Sequence, residues 1–474
     1  TPARRRALDL THDFLEHSPE QVERIVDRAT KSLIAVMDAF PTLTRQRRLT
    51  KGEWESVLAE RASVSVELER RRKRFVDLAN RLLGAQHKSA AVSDPHQGVS
   101  VVVDSRFRSA GVRGIGQRRM NALTETGRVS LEPDAGYGVQ GTTGAEVQAR
   151  FGWEDELAVL ISNDPDQPRA VPNIVIGFNP HLPGSGSATA ATEMLDDIAG
   201  RGAGLDHVVL DSAYMATRPE ALRTPLMNLG AKLVADYPPH RLGVQAVSET
   251  EILVDGTWYA PSLPVHLQNA GNEFARVRGA ALSERVEAAN LLKDKVAARA
   301  EFSRQHPRPS GVSERDEQHY PYKSEQWNTV YGIGRAAFES YAAASARTVG
   351  SESGRRRMRG ATAQAFFSVL EVIETNARIL DEFRAAQERP RPRKEVFPPL
   401  MTDAAAQTAG DSLACPSTRP RRSTSRRRSA SRQNARSPRP RRSASICGLP
   451  RDPPRRARGR RHRPRHPRDA RDAQ

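Results

Sequence analysis

Leu205–Tyr237 reads LDHVVLDSAYMATRPEALRTPLMNLGAKLVADY, and this stretch decides the fold class. His207-Val-Val-Leu210 is a short apolar run of strand character that delivers Asp211 at its carboxyl end. Thr217 is placed to cap a helix holding Pro219 in its first turn; the helix is expected to run to about Asn228, kinked or shortened by Pro225, and Gly230 stops it. Ala231–Ala235 reads as a second buried strand, so the unit is strand, helix, strand, with a right-handed crossover and a parallel pair. Open α/β sheets bind ligands beyond the carboxyl ends of their strands, which makes Asp211 well placed for chemistry. By itself it is only an Asp before a turn.

Upstream, Val99-Ser-Val-Val-Val103 reads as a strand ending at Asp104. Gly/Arg-rich loop sequence follows, then a short strand at Arg128–Leu131, further strands at Glu156–Ile161 and Val171–Phe178, and a helix over Ala188–Ile198. This order matches a ribonuclease H-like sheet, with Asp104 ending its first strand and Asp211 its fourth. Residues 13–86 read as helix: Ser18-Pro-Glu-Gln21 is a helix start, and a second stretch from Lys51 to Leu83 places Trp54, Phe75 and Leu82 among many charges. A helical bundle or arm packed on the rest is preferred over a DNA-end-binding head. The run Arg70-Arg-Arg-Lys-Arg74 then reads as a solvated helix face. Lys88–Gly98 is polar and turn-rich, a domain boundary.

Downstream, the pattern changes between His240 and about His319. Ile252–Tyr259 has the Asp-Gly of a tight hairpin, and Leu282–Phe302 is a charged helix. Strong helices resume at Glu325–Ala346 and Ala361–Phe383. An insertion, about 240–320, between the last strand and the following helix explains the break. The expected organisation is a helical region 1–88, a catalytic domain 89–384, and a tail 385–474.

Composition bounds partners. The chain of 474 residues is 38% hydrophobic, enough for at least one sizeable core. It opens on Thr1 rather than Met, which leaves room for residues upstream; no signal peptide and no run of about 20 apolar residues occurs, so a soluble, intracellular protein is expected. The two cysteines, Cys415 and Cys447, lie near the C-terminus, which excludes a disulfide framework or a Cys-ligated zinc in the body. Of the formal charge of +18, residues 401–474 carry +16, with 21 Arg against 5 Asp, leaving +2 for the first 400 residues. The isoelectric point therefore says nothing about DNA binding by the body. The Arg/Pro/Ser-rich tail cannot bury a core; it reads equally as a disordered arm holding phosphates or as a frameshifted translation of GC-rich DNA.

On the helix after the insertion, Tyr331, Arg335 and Glu339 are each four apart and share a face. An ordinary helical ion pair is the plain reading. The third carboxylate lifts it: Asp104, Asp211 and Glu339 sit on two strand ends and one helix of a single inferred sheet. Hard divalent cations want oxygen ligands, and a pair of them about 4 Å apart can activate a water and steady the leaving oxygen of a phosphodiester.

Asp211-Ser-Ala-Tyr214, Leu242-Gly-Val-Gln245, Val254-Asp-Gly-Thr-Trp-Tyr-Ala-Pro261 and Tyr322-Lys-Ser-Glu-Gln-Trp327 resemble motifs of actinobacterial insertion-sequence transposases of the DDE type. Tyr331, Arg335 and Glu339 are similar to the Tyr-Arg-Glu-Lys signature of one large transposase group, and Gly354–Gln364 resembles the basic run and helix start that follow it. The resemblance covers roughly Val99–Phe383. It implies a ribonuclease H-like core, Mg²⁺ or Mn²⁺, and DNA cleavage and joining at element ends and target DNA, by a cytoplasmic bacterial protein that forms a homodimer on DNA. Carried over, the catalytic and metal-binding carboxylates are Asp104, Asp211 and Glu339, with Asp134 a competitor for the first. Tyr214, Tyr331, Arg335, Arg347, Arg355, Arg356 and Arg357 are the DNA-binding or orienting residues.

Departures are plain. Ser212 stands where relatives carry a basic residue, and Ala346 followed by Arg347 where they carry a Lys. The Tyr–Arg spacing is one residue longer than theirs, and the insertion lacks their cysteines. This fits either a divergent branch or a decaying copy, so an inactive, transposase-derived DNA-binding protein is the alternative.

Overall fold

The computed structural model describes residues 18–38, 48–90, 98–140, 148–301 except 185 and 203, 316–348 and 359–388. All belong to one compact unit, Thr1–Pro392. In chain order the helices are α1 (Pro19–Met37), α2 (Lys51–Ser63), α3 (Ser65–Ser89), α4 (Gln117–Asn121), α5 (Ser187–Gly200), α6 (Ser212–Met215), α7 (Arg223–Asn228), α8 (Val265–Gln268), α9 (Ala270–Arg276), α10 (Leu282–Glu301), α11 (Glu325–Ala346) and α12 (Ala361–Glu388). The strands are β1 (Val99–Ser109), β2 (Gly136–Gln140), β3 (Gln148–Ile161), β4 (Val175–His181), β5 (Leu205–Leu210), β6 (Lys232–Ala235), β7 (Val244–Val247), β8 (Ile252–Val254) and β9 (Thr257–Tyr259).

The main sheet has the order β4-β3-β1-β5-β6, with β2 also on the outer side of β3. β3 runs antiparallel to β1 and β4, whereas β5 is parallel to β1 and β6 parallel to β5. These directions and this order are those of a ribonuclease H-like fold, set by the buried runs Val101–Val103, Leu157–Ile161, Ile174–Ile176 and Val208–Leu210. α5 covers one face, where a side chain at Gly177 would meet Met194 and Ile198. α11 crosses the other; a Cβ on Gly334 would come within 2.8 Å of Val209, so glycine lets the helix sit down on β5.

The N-terminal helices share this core. Ile34, Met37, Phe75, Ala79 and Leu83 all join it, and α1 starts at Ser18 with the capping box that Ser18 and Gln21 form. Within the basic run of α3, Arg70 and Arg71 pair with Glu67, and Arg72 with Glu69 and Glu193. Side-chain amides and one backbone N–H bond the outer strands β4 and β6. At β4, Asn80 Oδ1 accepts from Phe178 N–H and Asn376 bonds both the N–H and the carbonyl of Val175. At β6, His319 N–H bonds Leu233 O and Gln318 Oε1 accepts from Ala235 N–H.

Between β6 and α11 lies a second, antiparallel sheet, β7-β8-β9, with α8, α9 and α10. Its hairpin turns on Asp255 (φ 45°) and Gly256 (φ 77°), as the Asp-Gly pair implies.

Several local expectations are corrected. β1 does not end at Asp104 but runs on to Ser109, because Ser105–Ser109 continue the antiparallel ladder with β3 as far as Gly152. Only the parallel ladder stops there, at Val103↔Leu210. Arg128–Leu131 is no strand; a single bridge joins Arg128 to Thr50. The crossover helix is broken into α6, a short 3₁₀ turn at Pro219–Ala221 and α7, since Asp211 rather than Thr217 takes the cap and the two prolines interrupt it. Gly230, at φ 74°, closes it as expected.

Candidate functional site

The two parallel ladders end together, at Val103, Leu210 and Ala235, and the next residue of each strand is a carboxylate. Asp104 follows Val103 on β1, Asp211 follows Leu210 on β5, and Asp236 follows Ala235 on β6. Asp211 caps α6, its Oδ1 accepting from Ala213 N–H at 2.8 Å. Asp104 is largely buried, 16% exposed, and Arg335 on α11 donates to its Oδ2 at 2.6 Å. Its own Oδ1 accepts from Ser105 N–H. Burial first and the charge of Asp211 second push the Asp104 carboxyl up to about 6, against the pull of Arg335. The first and second candidate carboxylates are therefore close neighbours.

Tyr331, one turn before Arg335, stacks on Trp327 with centroids 4.4 Å apart. Burial, followed by the charge of Asp236, raises its phenol to about 12, and Asp211 and Asp104 add to the effect. Tyr214 is buried and donates to Glu156, which also pairs with His181 at 2.8 Å; burial and that carboxylate hold the phenol well above its ordinary value. Tyr214 is thus anchored beneath the carboxylates.

Glu339 is not drawn in. It lies on α11 one turn beyond Arg335, exposed, and among the described residues no group of three or more His, Cys, Asp or Glu side chains is gathered to hold a metal. Asp134 is engaged elsewhere, in a 2.7 Å ion pair with Arg61 of α2. Arg347 is exposed at the end of α11. Arg355, Arg356 and Arg357 lie outside the described residues, as does the tail.

Two residues escaped the sequence reading. Asp236 accepts from Tyr322 Oη at 2.6 Å, and Lys323 Nζ lies 3.4 Å from the same oxygen. Asp236 carried the same signal as Asp211, an acid directly after a buried parallel strand. Lys323 stands inside the Tyr322–Trp327 motif, but nothing local to it announces its contact with Asp236, 87 residues earlier in the chain. As a donor set, the strand-end carboxylates suit a hard divalent cation in part: Asp104 and Asp211 form a like-charged pair of oxygen ligands, and Glu339 stands exposed on α11.

No family model matches the chain, and no curated protein matches it. Among solved structures it is similar to the Drosophila P element transposase strand transfer complex, with 12% identity over 63% of this chain and 68% of that one and a TM-score of 0.18. The fold assignment rests on the strand order, to which a likeness of that size adds nothing. No helix among the described residues is long and apolar enough to cross a membrane.

Proposed function

We propose that the protein is a DDE-type transposase that cleaves DNA at the ends of a mobile element and joins the freed ends to target DNA. The observation that carries this reading is the juxtaposition of Asp104 and Asp211 at the carboxyl ends of neighbouring parallel strands, with the Asp104 carboxyl raised by burial and its neighbour. Like charges kept together in a half-buried cleft favour a cation. In the reading, Asp104 and Asp211 hold Mg²⁺ or Mn²⁺, with Glu339 joining from α11 once Arg335 gives up Asp104. When bound, such an ion supplies a more acidic water and stabilises the leaving oxygen of the phosphodiester. Arg335, released from Asp104, would hold a phosphate, and Tyr214 keeps the Asp211 turn in place. DNA ends, target DNA and a second copy of the chain are the partners this activity needs.

A second reading, an inactive DNA-binding remnant, draws on Ser212, on Ala346 and on the exposure of Glu339. The deciding experiment measures cleavage of DNA carrying the sequences that flank the gene, with Mg²⁺ or Mn²⁺. Asp211→Asn, Asp104→Asn and Glu339→Gln are each expected to lower the rate at least ~10²-fold, as loss of a group that stabilises developing charge does. Metal alone should raise apparent stability by about 2.7 kcal/mol at ~100 times its dissociation constant, and Asp211→Asn should abolish most of that rise. A melting curve indifferent to millimolar metal, with no cleavage by the parent, would move the assignment to the remnant.

A further inference from the structure

Lys323 occupies an unusual position for a lysine. It is one of two non-glycine residues with positive φ among those described, at φ 61°, and the other, Asp255, sits in the hairpin turn where that conformation is required. Here Ser324 caps α11, and Asn328 Nδ2 bonds the Lys323 carbonyl, which holds the backbone in place. The side chain is turned into a cage of three aromatic residues: Nζ lies 3.9 Å from the centre of the Trp327 ring, 4.9 Å from Tyr322 and 5.5 Å from Tyr331. Asp236 Oδ1, at 3.4 Å, is its carboxylate partner, a looser pair than the 2.6 Å contact of Arg335 with Asp104.

We infer that Lys323 is a phosphate-binding residue of the candidate site, held in the free protein by the cage and Asp236 and transferred to a DNA phosphate when DNA is bound. The inference rests on the DNA-processing reading. Three features support it. Attraction of an ammonium to ring faces is weakly directional, and the hydrogen bond to Asp236 is long at 3.4 Å, so a phosphate oxygen can compete for the ammonium. Tyr331 links the cage to the reaction centre, since its ring faces Lys323 on one side and its phenol responds to Asp236, Asp211 and Asp104. Finally, Lys323 and Arg335 each stand against a strand-end carboxylate, Asp236 at 3.4 Å and Asp104 at 2.6 Å, so Lys323 lies at the same end of the sheet as the carboxylate pair and can meet a polyanion held there. A compact ammonium on a flexible stem suits that transfer.

The test uses the full chain with Ca²⁺ and a short blunt duplex of arbitrary sequence. Lys323→Gly removes the ammonium at a backbone conformation that glycine adopts without strain, and Lys323→Arg keeps the charge. Lys323→Gly is expected to make the slope of log affinity against log salt shallower by about 0.9, the value of one duplex phosphate contact, while Lys323→Arg retains the parent slope. In protein carrying ¹³Cε-lysine, the Lys323 signal, displaced by the three rings and identified by its loss in Lys323→Arg, should move toward the ordinary lysine position as duplex is added. A duplex that binds while that signal and the Lys323→Gly slope stay unchanged overturns the role of Lys323 and leaves the DNA reading standing. A parent that binds no duplex overturns both.

Discussion

Along one strand, β1, two groups of charges sit a few residues apart and are treated in opposite ways. At Arg106 and Arg108 every carboxylate has its arginine: Arg108 pairs with the fully buried Asp155 at 2.6 Å, and Arg106 with Glu371 of α12 at 2.8 Å, while Ser345 and Ser368 complete the network. At Asp104 the balance fails. Among the described residues, the cations paired with the three carboxylates Asp104, Asp211 and Asp236 are Arg335 and Lys323, and the Asp104 carboxyl rises to about 6 as a result of burial and its neighbour's charge. Balanced charges fasten α11 and α12 to the sheet. Unbalanced ones store an electrostatic demand that a cation can meet.

The largest effect that would break this contrast is at Asp155. Asp155→Ala takes the 2.6 Å carboxylate contact from the buried Arg108, and loss of one member of such a pair costs about 3–5 kcal/mol, read as a lower denaturant midpoint. A loss below about 1 kcal/mol would mean that the network is not structural. Next comes the seat of α11. Gly334→Ala pushes a methyl group toward Val209 and is expected to cost about 1–3 kcal/mol, and to loosen the Arg335–Asp104 contact with it. Unchanged stability would show that the helix can lift from β5 at little cost.

The smallest effect has the opposite sign. The Asp104 carboxyl, ordinarily at 3.8, stands at about 6 in the folded chain, so folding takes up a proton between those values and stability falls as pH rises through that window. Above it the penalty is complete. Asp104→Asn should therefore stabilise the metal-free protein at pH 7 by ~1 kcal/mol after the lost Arg335 contact is counted, and should flatten stability against pH from 4 to 6. Metal binding, which needs the ionised pair, should be lost as pH falls through about 6. Equal stability of parent and variant at pH 5 and pH 7 would remove the electrostatic demand from the argument.

Much of this architecture is legible in the residues because apolar runs and turn signals are local. Val99–Val103, His207–Leu210 and Ala231–Ala235 announce their strands, and Asp255-Gly256 its turn. The rest of β1 is not legible, since Ser105–Ser109 alternate polar groups whose partners on β3 and α12 are remote in sequence. The cap was misassigned to Thr217 because Asp211 was read as chemistry only, although one carboxylate both caps α6 and faces Asp104. Glu339 shows what spacing alone leaves open: four-residue spacing puts it on the face of Arg335, and in the fold it is exposed where Arg335 is half-buried against Asp104.

The amide seals at the two sheet edges bear on how the chain is made. An unpaired strand edge is a template for pairing with another chain. Strand β6 is complete at Ala235, yet Gln318 and His319, which close it, follow only after the whole insertion, and Asn376, which closes β4, comes later still. A ribosome delivering this chain from its N-terminus therefore leaves β6 open until Gln318 and His319 are made, and Val175 of β4 open until Asn376 of α12 follows. Fragments ending before Gln318 should pair with each other and precipitate, whereas those reaching Glu388 should stay monodisperse.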